Sequence, residues 1–358
     1  MNFRSDNESP AAPEILAALQ SANSGHAHAY GEDGITSGMR KRFREAFETD
    51  LEVLPVATGT AANSLSIAQL APAYGAVFCH FEAHLHADEC GAPEFYSGGA
   101  KVIPLSGELA KICPRTLQTA VDKMKEMGVH ESQPSAVSIS QATELGTVYR
   151  PDEIREIAGI ARGGGMGLHM DGARLANAVQ RLGCTPAELT WKAGVDILSF
   201  GATKNGAMAA EAVVVFNSDR AAGLARRHKR AGHLFSKMRF MSVQLETYLK
   251  GDLWLQLAGR ANRAADALSA GLGGLAGVEV LYPVEANEVF VRMPPPLADS
   301  LKAAGYEFHL WPGSRDHYRL VTCFATRVDE VNAFLALARQ LSDDSEGDSR
   351  PSGGRDGS

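Results

Sequence analysis

From about residue 50 to residue 235, short apolar runs alternate with stretches whose apolar residues recur every three or four positions. The runs at 76–80, 101–105, 135–140, 167–171, 196–200 and 212–216 are nearly continuous, as expected of strands covered on both faces. A further short strand is expected just before Ala57. Helical periodicity fills most of the gaps, at 60–70, 114–127 and 151–161. This alternation predicts an α/β fold with a mostly parallel sheet sandwiched by helices. Ligands of such sheets bind at the carboxyl ends of the strands.

The texture changes near residue 235. Helical patterns at 237–250 and 252–272 precede short strands at 288–292, 307–310 and 318–322, and a last helix at 328–341. We therefore expect an N-terminal arm and large domain over 1–235 and a small α+β domain over 236–341, entered through a long helix. Residues 342–358 lack apolar side chains and are expected to be disordered. The chain shows no internal repeat.

Composition narrows the class. Of 358 residues, 45% are hydrophobic and 22% charged, enough for a large core. No run is long enough to span a membrane. The net charge of -7 argues against nucleic acid as a main partner. No secretory signal is visible at the start. Cys79, Cys90, Cys113, Cys184 and Cys323 are scattered and odd in number, the pattern of free thiols in a reducing cytoplasm.

The chemistry concentrates at two run ends. Asp171 closes the run in HMDGAR (169–174) and Arg174 follows three residues later. Lys204, in DILSFGATKNG (196–206), stands 204 − 171 = 33 residues after the acid. Chemistry on a pyridoxal 5'-phosphate ring needs such a set. The carboxylate keeps the pyridine nitrogen protonated, so the ring withdraws electrons from a substrate carbon. The lysine holds the cofactor as a Schiff base between turnovers. Opposite charges about 4 Å apart attract by roughly 4 kcal/mol at an effective dielectric of about 20, which raises the nitrogen's pKa.

Other clusters read two ways. ATGTAANS (57–64) opens a helix, where free N–H groups and the dipole suit a phosphate; Gly59 allows close approach and Thr60 adds a hydroxyl. The same residues also make an ordinary N-cap. HFEAHLH (80–86) holds three histidines, but His80 ends a strand, which spoils a helical metal pair. No metal is expected, and His84 suits a ring stacked on a cofactor and free to move a proton. FRSD (3–6) and YGED (30–33) have turn and cap chemistry as their plain reading, and RRHKR (226–230) a solvated helix face. Arg315, Arg319 and Arg327 lie in the small domain; a substrate carboxylate calls for one guanidinium.

Taken in order, these blocks resemble the threonine aldolases of the β-eliminating lyase family, within the aspartate aminotransferase-like fold type I of pyridoxal phosphate enzymes. FRSD, YGED, ATGTAAN, the EAH ending at His84, HMDGAR, TKNG and the YRLVT strand match in register over about residues 2–341. The resemblance implies a sheet of the seven-stranded type. It implies that Lys204 carries the cofactor, Asp171 pairs with its ring nitrogen and Arg174 contacts the ring hydroxyl or a nearby carboxylate. Gly59, Thr60 and Thr203 would hold the phosphate, and His84 would stack on the ring. Ser5 and Arg319 would take the substrate carboxylate. Tyr30 and a basic residue within 226–239 would serve a neighbouring subunit in a homodimer or homotetramer.

The implied reaction is retro-aldol cleavage of a β-hydroxy-α-amino acid (threonine, allo-threonine or phenylserine) to glycine and an aldehyde, with His84 or an ordered water as base. Another pyridoxal phosphate lyase or an aminotransferase is the alternative. A silent scaffold and a hydrolase built on His80, His84 and His86 are the other readings. One departure stands out. Where the family commonly has an acid and a histidine, SISQATELGT (138–147) offers Gln141 and Glu144.

Overall fold

The computed structural model describes residues 1–348. Seven strands, β1 (Glu52–Val56), β2 (Gly75–His80), β3 (Lys101–Leu105), β4 (Gln133–Ser140), β5 (Gly167–Gly172), β6 (Ile197–Gly201) and β7 (Glu211–Val215), form one sheet in the order β1-β7-β6-β5-β4-β2-β3. β3, β2, β4, β5 and β6 pair in parallel. β7 is antiparallel to both β6 and β1. Only residues 202–210 join β6 to β7, too few for the crossover a parallel return requires.

Side chains on successive strand positions point to opposite faces. Val77, Ala136 and Val213 pack with Ala61 and Leu65 of the helix Gly59–Leu70. Phe78, Val137 and Val214 join the larger cluster on the other face, with Leu117 and Val121 of the helix Pro114–Met127 and Ile154 and Ile157 of the helix Pro151–Gly163. Both of those helices start on a proline, whose fixed φ suits a first turn. The Gly59–Leu70 helix is buried over most of its surface because small residues fill its polar face.

A second sheet joins β8 (Glu279–Val280), β9 (Glu288–Arg292), β10 (His309–Leu310) and β11 (His317–Val321), antiparallel in the order β10-β11-β9-β8. It packs with Leu268 and Leu272 of the helix Leu253–Leu272 and with Phe334 of the helix Val328–Asp348. The N-terminal arm threads into it. The Phe3 N–H donates to the Glu307 carbonyl at 2.7 Å, and the Val321 N–H donates to the Phe3 carbonyl at 2.8 Å.

Two local expectations change, and one strand, β8, was not foreseen. The strand expected at 307–310 shrinks to His309–Leu310, because the backbone of Glu307 is taken by Met1 and Phe3 of the arm. β8 has two residues, too short to show a period. The last helix does not stop at Leu341 but continues to Asp348, where a disordered tail was expected; the Ser342 hydroxyl donates to the Ala276 carbonyl at 3.2 Å and holds the chain down. The rest of that tail, residues 349–358, lies outside the described residues. No helix among the described residues is long and apolar enough to cross a membrane, and all five cysteines are free.

Candidate active site

β4, β5 and β6 end side by side, with Asp171 in register with Ser140 on one side and Ser199 on the other. A cavity of about 460 Å³ lies over these ends. It brings together Ser5, Gly59, Thr60, His84, Asp171, Arg174, Thr203, Lys204 and Arg319. Tyr30 does not line it. Tyr30 is half exposed, with Lys229 Nζ 4.8 Å from its ring centre and its backbone N–H donating to the Ser236 carbonyl. The basic stretch nearby touches the cavity's edge from behind: the Ala57 N–H donates to His233 Nδ1, and His228 is buried against the Pro55 carbonyl.

Asp171 is buried at the tip of β5. Its Oδ1 accepts the Ala173 N–H at 3.0 Å and its Oδ2 accepts Asn63 Nδ2 at 2.8 Å. Gly201, at the end of β6, lets this turn pass: a Cβ there would stand 2.6 Å from Ala173 Cα. The chain then makes a single tight turn, Thr203–Asn205, which carries Lys204. Glu211 clamps that turn by accepting the N–H groups of Ala202 and Thr203 at 3.0 and 3.3 Å. Asn205 Nδ2 donates to Tyr248 Oη and to the Trp254 carbonyl.

Thr58 caps the helix Gly59–Leu70 by accepting the Ala61 N–H at 3.1 Å. The first N–H groups of a helix have no intrahelical acceptor, so those of Gly59 and Thr60 are left for a ligand. A Cβ built on Gly59 meets nothing within 4 Å, which marks an open cradle.

His84 opens a short helix, His84–Ala87. Its N–H donates to Glu144 Oε1 at 3.0 Å, and its Nδ1 lies 2.9 Å from Glu89 Oε1. The hydrogen bond to Glu89 raises the imidazole's pKa against the cost of burial, and Asp171 adds to the rise. Glu144 also accepts the Ser140 hydroxyl at 2.6 Å. Burial still pushes its carboxyl up to about 7, and burial does the same to Glu211, up to about 7. His80 is committed elsewhere, with Nε2 3.1 Å from the Gly107 carbonyl and Nδ1 accepting the Glu82 N–H. Among the described residues no group of three or more metal-ligating side chains converges.

Arg174 is held by two acids, Asp6 through two hydrogen bonds and Glu288 at 3.2 Å. Arg319 lies 3.7 Å from the other Glu288 oxygen, over the Trp311 ring. It is the more exposed guanidinium of the two, at 24% against 12%, and so the freer to meet a ligand.

The β-eliminating lyase family model matches residues 2–294. The chain belongs to the β-eliminating lyase family. It is 46% identical to a low-specificity L-threonine aldolase from a Pseudomonas species, over 87% of this chain and 90% of that one. It is also 46% identical to a low-specificity L-threonine aldolase from Pseudomonas aeruginosa, over 95% and 96%. The solved threonine aldolase of Leishmania major superposes with a TM-score of 0.89 at 26% identity, covering 95% of this chain and 99% of that one.

Lyases of this family depend on pyridoxal phosphate, and the residues of this lyase suit that group. A helix start whose Gly59 and Thr60 N–H groups have no intrahelical acceptor, a buried carboxylate and a lysine share one cavity, and Gly59 leaves room where a phosphate would sit.

Four polar residues of the lyase site were not legible as such. Asn63 lies one helical turn past Gly59 and Glu89 lies five residues past His84; Asp6 belongs to the FRSD block, and Glu288 sits in β9. Each meets its partner only through the folded chain. Gln141 is structural, exchanging hydrogen bonds with the backbone of Tyr149.

Proposed function

We propose that the protein cleaves β-hydroxy-α-amino acids of the L-threonine type into glycine and an aldehyde. The observation that carries this reading is the meeting of Lys204, Asp171, Arg174 and His84 in one cavity of a chain 46% identical to two low-specificity L-threonine aldolases.

Lys204 would hold the cofactor, Asp171 would pair with its ring nitrogen, and Gly59, Thr60 and Thr203 would hold its phosphate. Pyridoxal phosphate, when bound, supplies an electron sink for the carbon that loses its bond. Arg319 and Ser5, which both line the cavity, would hold the substrate carboxylate and so fix how the substrate lies against the rest of the site. Arg174, pinned by Asp6 and Glu288, lines the site as a guanidinium of fixed position. His84 removes the β-hydroxyl proton, directly or through an ordered water. The working unit is a homodimer or homotetramer in the cytoplasm, with Tyr30 and a basic residue of 226–239 reaching a neighbouring site.

The test is visible absorbance of the purified protein, then borohydride reduction and peptide mapping, beside product analysis with L-threonine. A yellow band bleached by borohydride with the label on Lys204, and glycine plus acetaldehyde as products, are expected. Lys204→Ala keeps the fold and loses roughly 10³-fold or more in turnover. A loss under about tenfold, or an α-keto acid product, overturns the reading.

A further inference from the structure

Between His84 and Asp171 runs an unbroken line of short hydrogen bonds. His84 Nδ1 lies 2.9 Å from Glu89 Oε1, the same oxygen accepts Asn63 Nδ2 at 2.8 Å, and Asn63 Nδ2 donates again to Asp171 Oδ2 at 2.8 Å. One amide thus spends its two hydrogens on two carboxylates. The Glu89 side chain is 0% exposed, while that of His84 is 42% exposed and borders the cavity. A carboxylate buried so completely costs stability unless its bonds offset the loss of water, and Glu89 Oε2 has no partner.

We propose that Glu89 is the positioning carboxylate of a His84–Glu89 pair, and that Asn63 locks this pair to Asp171 in a fixed spacing. The inference rests on the aldolase reading above, since it assigns how His84 becomes a base. With Nδ1–H donated to Glu89, the free lone pair of the imidazole lies on Nε2, and His84 lines the cavity. The β-hydroxyl proton passes to Nε2. The Cα–Cβ electron pair stays with Cα, the aldehyde leaves, and Cα takes up one proton, so no proton is gained or lost overall. Glu89 keeps its hydrogen bond to Nδ1 as the imidazole takes up the proton. Glu144 fixes the other end of the residue through the His84 N–H, so ring and backbone are held by acids from two different segments.

The charged groups around His84 are Glu82, Asp88 and Glu89 on its own segment, Glu144 after β4, Asp171 on β5 and Lys204 after β6. The acids favour the imidazolium and Lys204 opposes it, with the Glu89 hydrogen bond the largest influence. Glu89→Gln keeps an oxygen for Nδ1–H and a similar shape but removes the charge.

The experiment takes the full-length holoenzyme and its Glu89→Gln and Glu89→Asp variants. Two quantities are read: the pH profile of kcat/KM for L-threonine, and the pH midpoint at which His84 is carbethoxylated by diethyl pyrocarbonate, followed by peptide mass. For Glu89→Gln we expect kcat to fall roughly 10- to 100-fold with KM nearly unchanged. The acid limb and the His84 midpoint should both move to lower pH. Glu89→Asp, which keeps the charge, should restore a midpoint close to wild type. A Glu89→Gln enzyme whose His84 midpoint does not move overturns the pair, whatever its activity, and if that variant does not fold, a Glu89→Asp midpoint well below wild type does the same. Failure of wild-type protein to make glycine and acetaldehyde overturns the aldolase reading instead, and the carbethoxylation midpoint then judges the pair alone.

Discussion

Arg174 grips Asp6 with two hydrogen bonds, Nε to Oδ2 at 2.8 Å and Nη2 to Oδ1 at 3.0 Å, across 168 residues of chain. The pair fastens the N-terminal arm over the sheet and brings Ser5 to the cavity. Burial works to raise the Asp6 carboxyl, but the charge and hydrogen bond of Arg174, helped by Lys204 and Asn287, hold it below its ordinary value of 3.8. Asp6→Asn should therefore destabilise the protein by roughly 3 kcal/mol, the low end for breaking a buried pair, because Glu288 still faces Arg174. A folded pKa below the unfolded one stabilises above the unfolded value and fades as pH falls through the folded value. Urea unfolding of both proteins should show a constant gap at neutral pH that narrows below 3.8. A gap that is absent at pH 7 refutes the clamp.

Gly59→Ala separates folding from cofactor binding. The new methyl meets nothing within 4 Å, and alanine favours a helix more than glycine does. Thermal unfolding of the apoprotein should stay the same or rise slightly. Affinity for pyridoxal phosphate, followed by absorbance on titrating the apoprotein, should fall by about tenfold, a change of roughly 1.4 kcal/mol. Unchanged affinity would move the phosphate away from this helix start.

Arg319→Ala removes a guanidinium that no hydrogen bond ties to Glu288, 3.7 Å away. A hydrogen bond to a charged group contributes about 1.5–3 kcal/mol, so KM for L-threonine should rise roughly 10- to 100-fold. The rise in KM should exceed the fall in kcat. Steady-state kinetics decide this, and an effect confined to kcat contradicts a carboxylate clamp.

Glu211 has the opposite linkage from Asp6. Burial lifts its carboxyl to about 7, despite the Ala202 and Thr203 N–H groups and the nearby Lys204. Its folded pKa exceeds its unfolded one, so stability is fully present below the ordinary 4.5 and is lost as pH rises towards about 7. Relative to wild type, Glu211→Gln should gain stability progressively over that interval and no further above it. Denaturant midpoints at a series of pH values measure the difference, and a flat difference rules out the buried proton.

Much of the sheet was legible because strands buried on both faces are short apolar runs. The expected 101–105 and 288–292 coincide with β3 and β9. The antiparallel turn from β6 to β7 was not legible, since a run of apolar residues carries no direction. FRSD and YGED show a different limit. Ser5 caps the turn that follows it and Asp33 caps the helix Gly34–Phe47, as their plain reading had it. Yet Ser5 also borders the cavity, so cap and site are one residue.

By itself the sequence determined the alternation of strand and helix, and with it that Asp171 and Lys204 would stand at strand ends near one another. Those properties follow from local periodicity and spacing. Only the tertiary structure decided which acids surround them. Asn63 reaches Glu89 across 26 residues and Asp171 across 108, and Arg174 finds Asp6 across 168. A carboxylate's charge and a histidine's usefulness as a base depend on burial and on partners within about 3 Å. Those neighbours are set by packing between distant segments, which no local pattern along the chain encodes.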